Sequence, residues 1–261
     1  MHIGLDVNAR IADLFHALAL GERLAQDCAC RQAVFAADPN ICHFLTRQAQ
    51  QEAFHALVLN GAVAVLDSKR NADTPLIQAL HAYGARLDSD LDARRFAPSL
   101  LGMQVMLEGI GAVVLQKLDV SLSERHSPRF APFRRLLLQQ EDAHHAFGLR
   151  TLKQIIAADP AQIEALRAAA RDYLALAREL LFTCSDLFQY FDSSVTDYSA
   201  SLDQHLPRWL IETAPGQHVS QDTAAQRNAE TKREAGRAGA AAGNDTTSRE
   251  PADQPATPHQ N

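Results

Sequence analysis

Four helix-forming stretches of this chain carry Glu or His where an apolar stripe should continue, and no other feature constrains its fold as much. In the first, Ile11, Phe15, Leu18, Glu22, Ala25 and Ala29 step by threes and fours along one face. After the breaker Asp38-Pro39-Asn40 a second face runs Ile41, Leu45, Gln48, Glu52, His55, Leu59, Ala62 and Leu66. A third, with Pro98 placed where a helix N-terminus accepts proline, has Leu101, Val105, Glu108, Ala112, Leu115 and Leu118. The fourth follows a loop over 123–132 and has Leu137, Glu141, His144, Gly148, Thr151 and Ile155, stopping at Asp159-Pro160. Burying an unpaired carboxylate or imidazole costs several kcal/mol, so the polar positions on these stripes need partners.

The polar positions read, in order, Glu22, then Glu52-Ala53-Phe54-His55, then Glu108, then Glu141-Asp142-Ala143-His144. Residues three apart on a helix share a face at roughly 5–6 Å, so each Glu-x-x-His offers an oxygen and a ring nitrogen to one small volume. Folding about Asp38-Pro39 sets Glu22 level with Phe54, between Glu52 and His55. Folding about the loop near Arg125 sets Glu108 level with Asp142, between Glu141 and His144. The two hairpins also echo each other in sequence, Gln50-Gln51-Glu52-Ala53-Phe54-His55 against Gln139-Gln140-Glu141-Asp142-Ala143-His144, as an internal duplication would. A purely structural ion-pair network is the plain alternative. Four carboxylates against two imidazoles leave at least two negative charges, which favours cations at the centre.

The rest of the chain fits an all-α domain. With 46% hydrophobic but only 6% aromatic residues, the composition suits helices better than a sandwich or barrel. A polar crossover over 67–97 is expected to hold a short helix near Leu76–Leu91. A fifth helix from Ala161 to about Phe191 and a shorter one from Val195 to Trp209 are expected to pack outside the first four. Beyond Ala214 large apolar residues nearly vanish, so the folded domain is placed at 1–213, with a metal-binding core over about 8–157, cover helices over 161–211 and a disordered tail over 214–261. A net charge of −6 gives no surplus for nucleic acid or an anionic membrane. Four cysteines without a CxxC pair read as reduced packing residues, Cys28 and Cys30 on different sides of one helix. Met1–Arg10 lacks the cationic start and apolar run of a leader, and the expected location is the cytoplasm with no membrane association.

The ligand pattern resembles that of the ferritin-like di-iron carboxylate superfamily, which includes ferritins, rubrerythrins, ribonucleotide reductase small subunits, multicomponent monooxygenases and aldehyde-deformylating oxygenases. The resemblance covers about Asn8–Ala157 and implies a ferritin-like four-helix bundle with additional C-terminal helices. It implies Glu22, Glu52, His55, Glu108, Glu141 and His144 as ligands of two Fe ions, with Fe/Mn or Mn as variants. Glu52 and Glu141 would bridge, while Glu22 and Glu108 would be terminal and more mobile. The sequence departs from several relatives in having Gln51 and Gln140, not Asp, immediately before each Glu-x-x-His.

A di-iron centre implies an oxidoreductase that uses O2 as co-substrate on a small organic molecule, acting through those six ligands. Electrons would come from a separate ferredoxin or reductase, or from the substrate, and a second copy of the chain, as a homodimer, is among the expected partners. The alternatives are a ferroxidase or peroxide-scavenging iron-handling protein, and a metal-stabilised scaffold without turnover. Four further points are left to the fold. His145 should face solvent or the layer behind the ligands, since it points about 100° from His144. Gly148 and Ala112 either open a pocket or permit close packing. Tyr173, Tyr190 and Tyr198 are expected on cover helices, away from the first four. Asp186 and Gln189 reach the centre only if the fifth helix folds inward.

Overall fold

The computed structural model describes residues 3–66, 74–123, 131–190 and 194–211, and among these every regular element is a helix. The expected 214–261 tail, the first residues of the crossover and most of the loop before the fourth helix lie outside them.

Helices α1 (Ile3–Phe35) and α2 (Pro39–Leu66) are joined by three residues and pack along their length as a hairpin. The Asp38 carboxylate accepts from the Asn40 amide at 2.7 Å and so starts α2 where the sequence places the breaker. Helix α3 (Pro75–Asp92) is the crossover helix. The Thr74 hydroxyl accepts from the Ile77 amide at 3.3 Å, and Pro75 occupies the first helical turn.

The third core helix departs from a plain 3.6-residue repeat. It begins as α4 (Phe96–Leu100), widens into a π-helical segment, π1 (Leu101–Leu107), and continues as α5 (Glu108–Ser123). All residues from Leu101 to Met106 are buried, so no stripe marks the wide turn. Two tyrosines pack against this wide turn: a Cβ at Gly102 would run into the Tyr173 ring, and the Tyr83 hydroxyl donates to the Gly102 carbonyl at 2.5 Å.

Helix α6 (Ala131–Ala158) packs on π1 and α5. The expected fifth helix breaks at Cys184 into α7 (Gln162–Thr183) and α8 (Ser185–Tyr190). Helix α9 (Val195–His205), opened by a Ser194/Asp197 capping box, lies against α5 and α7, and α10 (Arg208–Ile211) closes on α7. Tyr173 corrects the expectation that the cover tyrosines stand away from the core helices. It is fully buried beside Gly102 of π1 and donates to Asp90 at 2.6 Å, where Arg86 and Arg95 also converge at 2.5 and 2.8 Å.

The residues up to Glu212 form one unit. One helical stretch among the described residues, Phe96–Gln116, is long and apolar enough to cross a membrane by length and composition; it carries Glu108 and most of it is buried inside the protein.

Candidate metal centre

The four polar stripes converge. Glu22 of α1, Glu52 and His55 of α2, Glu108 of α5, and Glu141 and His144 of α6 are all buried, none more than 8% exposed. Two groups have ligand atoms close enough to share a cation: Glu22, Glu52, His55 and Glu141, and Glu52, Glu108 and His144. Glu52 belongs to both, as a bridging carboxylate must. The Nδ1 of His55 lies 3.0 Å from Glu52, 3.4 Å from Glu22 and 3.4 Å from Glu141. The Nδ1 of His144 lies 3.0 Å from the other Glu52 oxygen and 3.7 Å from Glu108.

These contacts are close but do not satisfy the atoms. Both Glu52 oxygens, Glu141 Oε1 and both Nδ1 atoms are buried without a hydrogen bond. Such orphans are rare in folded proteins and need an explanation; a pair of cations between the oxygens and nitrogens supplies one. The residues present therefore fit a dimetal group with four carboxylates and two imidazoles, a donor set suited to iron or manganese.

The ring nitrogens away from the centre are held crosswise. His55 Nε2 meets Gln140 Oε1 of α6 at 2.7 Å, and His144 Nε2 meets Gln51 Oε1 of α2 at 2.9 Å. An amide oxygen only accepts, so each Nε2 carries the hydrogen and a neutral ring keeps the Nδ1 lone pair for a cation. Gln51 and Gln140, the residues that depart from the Asp of the resembled family, thus keep an acceptor in place but without charge. Phe44 also packs edge-on to the His144 ring, 6.2 Å between centroids.

Protonation follows the crowding. Burial pushes the carboxyls of Glu22, Glu108 and Glu141 well above the usual range, reinforced by Glu141, Glu52 and Glu108 respectively. Burial would raise Glu52 too, but the His144 and His55 imidazoles beside it outweigh that and hold this carboxyl at about 2. Burial disfavours charge on His55, yet Glu141, Glu22 and Glu52 together raise its imidazole to about 12.

An apolar cavity of about 90 Å³ reaches Glu22, Glu108 and Glu141 between α1, α3, π1, α5 and α7, lined by Ala17, Leu80, Met103, Ile110, Val114 and Leu180 among others. Gly21 and Gly111 line it with no heavy atom within 4 Å of where a Cβ would stand. Gly148 does the opposite: a Cβ there would lie 2.7 Å from Gln104 Cβ, so this glycine serves close packing. Ala112 is buried and does not line the cavity. His145 turns its ring edge toward Gly109 and joins neither ligand group. Asp186 is exposed and pairs with Arg10 at 2.9 Å, away from the centre; Gln189 is likewise exposed.

A layer of buried amides lies behind the ligands. Gln48 donates to Glu108 at 2.7 Å, and Gln104 and Gln32 follow behind it, all fully buried. The sequence carries a trace of it, since Gln48 and Gln104 stand one turn before Glu52 and Glu108. No protein-family model matches this sequence, and no curated protein matches it. The site is defined by its own geometry.

Proposed function

We propose that the chain is a di-iron protein of ferritin-like architecture that uses O2 to oxidise a small, uncharged organic molecule. The observation that carries this reading is the combination of a buried Glu4His2 cluster with unsatisfied ligand atoms and an apolar cavity ending on three of its carboxylates. When bound there, a pair of redox metals supplies electrons to O2.

The protein's own contribution is orientation and an apolar surrounding. Glu52 spans both ligand groups, the crossed Gln51 and Gln140 contacts fix the imidazoles, and the cavity sets a largely apolar wall beside three of the carboxylates. Among the described residues the cavity wall holds no cation, and the thiol there, Cys184, is kept neutral by burial, which lifts it to about 11 against the opposing Thr183 contact. A wall of this kind favours an aliphatic or otherwise apolar group and gives a hydrated iron ion no polar path, which weighs against iron as cargo. At about 90 Å³ the cavity is smaller than the roughly 150 Å³ void that takes benzene, so it accommodates O2 with a short apolar segment.

The imidazole side has another character. Asn40, His43, Arg47, Gln51, Gln139 and Gln140 line a groove between α2 and α6 that reaches His144, and among the described residues it contains no carboxylate. This supports delivery of electrons by a separate donor on that side. The test is anaerobic loading with Fe(II) followed by O2: a new visible absorption band is expected in wild type and lost in Glu52→Ala and His144→Ala. Absence of any O2-dependent change in a protein holding two irons would refute the reading.

A further inference from the structure

Behind Glu108 lies a chain of uncharged, fully buried polar groups with its own sense. Gln48 Nε2 donates to Glu108 Oε1 at 2.7 Å; Gln104 Nε2 donates to Gln48 Oε1 at 3.2 Å and to Gln32 Oε1 at 2.7 Å. Gln32 Nε2 donates to Gln104 Oε1 at 3.2 Å and to the Ser99 hydroxyl at 3.1 Å, and Ser99 donates to the Phe96 carbonyl at 2.8 Å. Both ends accept, the Phe96 main-chain carbonyl and the Glu108 oxygen that faces Gln48, so donors point outward at each end. With its hydroxyl hydrogen committed to Phe96, Ser99 receives from Gln32. The Gln32 and Gln104 amides then bond reciprocally, and the second Gln104 hydrogen faces the Gln48 oxygen. The Gln48 NH2 is therefore left facing Glu108. Turning over the Gln48 amide alone would set oxygen against oxygen at the Glu108 side and NH2 against NH2 at the other, leaving buried polar groups unmet at both.

Glu22 has no counterpart to this. Among the described residues no amide donates to it, its close contact is His55 Nδ1 at 3.4 Å, and it stands on the cavity wall beside Gly21. The resemblance to di-iron proteins makes both single-helix carboxylates alike; the chain's own packing makes them different.

We infer that Gln48 is the positioning residue for Glu108: its amide, held in one sense by Gln104, Gln32 and Ser99, keeps that carboxylate turned toward His144 while Glu22 is left free to move. This rests on the dimetal reading. One cation position, at Glu108 and His144, is then shaped in advance by the protein, and the other, at Glu22 and His55, is the adjustable one that meets the cavity.

Co(II) titration of the chelator-stripped full chain, followed by ligand-field absorption and by competition with a chromophoric chelator, reads the two uptake steps separately without any call on O2. Gln48→Leu, which keeps the volume but removes the donor, is expected to weaken one step about ten- to a hundredfold and leave the other unchanged. Glu22→Gln should weaken the other step. A role in packing alone would lower the melting temperature and leave both steps unchanged or shift them together, and either result overturns the inference. Should Gln48→Leu fail to fold, Ser99→Ala, at the far end of the chain, decides by the same split: a smaller loss in the Glu108 step supports the inference, and no loss overturns it. Two intact uptake steps without O2 reactivity would instead refute the proposed oxidation and leave the role of Gln48 standing.

Discussion

Gly148→Ala and Gly111→Ala are the same substitution in neighbouring core helices, and the packing assigns them opposite signs. Within a helix, alanine is favoured over glycine by about 0.8–1 kcal/mol. At Gly111 a Cβ meets nothing within 4 Å, so this gain is realised in full. At Gly148 the same atom would lie 2.7 Å from Gln104 Cβ, 3.1 Å from Val105 Cγ2 and 3.3 Å from the Gln104 carbonyl carbon. Two of those three atoms cannot swing away as a flexible side-chain end would. Overpacking of this kind costs about 1–3 kcal/mol, which offsets the propensity gain and leaves a net loss of up to about 2 kcal/mol. For a folded unit near two hundred residues, 1 kcal/mol moves the melting temperature by about 2–4 °C. Thermal unfolding of the chelator-stripped proteins at one pH should thus place Gly111→Ala about 2–4 °C above wild type and Gly148→Ala below it, by up to about 8 °C. A Gly148→Ala protein as stable as Gly111→Ala would mean that α6 does not approach π1 as described, and the register of Gln104 behind Glu108 would fall with it.

Three other outcomes follow from the same structure. Xenon should occupy the apolar cavity, giving a shifted 129Xe resonance that Gly111→Leu abolishes; an unchanged signal in that variant would place the void elsewhere. Stability of the metal-stripped chain should fall as pH rises from about 5 to 9. The raised carboxyls of Glu22, Glu108 and Glu141 hold protons that the unfolded chain has already lost above about pH 4.5, and raised His55 loses its stabilising advantage from its ordinary 6.5 upward, so both slopes point the same way. Divalent metal displaces those protons, and its affinity should rise over the same range; a stripped protein that gains stability toward pH 9 would contradict this. Asp90→Ala removes the buried acceptor of Tyr173, Arg86 and Arg95 and should cost about 2–3 kcal/mol, less than a fully buried pair because both arginines reach solvent. A loss under 0.5 kcal/mol, about what an ordinary surface change gives, would show that α3 and α7 are held together by other contacts.

The ligand set could be read before the fold because it breaks a rule. A carboxylate on an apolar stripe conflicts with burial, and the Asp38-Pro39 turn fixes which residues of α1 and α2 stand opposite, so Glu22 meets Glu52 and His55 as the mirror relation requires. The widened turn of π1 leaves no such mark, since six successive buried residues have no period to count. Gln32 and Gln104 look like ordinary amides until their partners are known. The cavity was equally hidden. Gly21, Gly111 and Gly148 are alike as letters, and only the distance of the neighbouring helix decides which of them makes space and which makes contact. Tyr173 escaped for a related reason: its position on a cover helix says nothing of the glycine at 102 that lets its ring reach the core.

The dimetal reading stands most directly on how many ions the protein holds and on which residue both share. Metal analysis after anaerobic loading and removal of excess Fe(II) or Mn(II) should give close to two ions per chain in wild type. Because Glu52 belongs to both ligand groups, Glu52→Ala should retain one ion or none. A wild-type protein that retains no metal, or a Glu52→Ala protein that still holds two, would contradict the account.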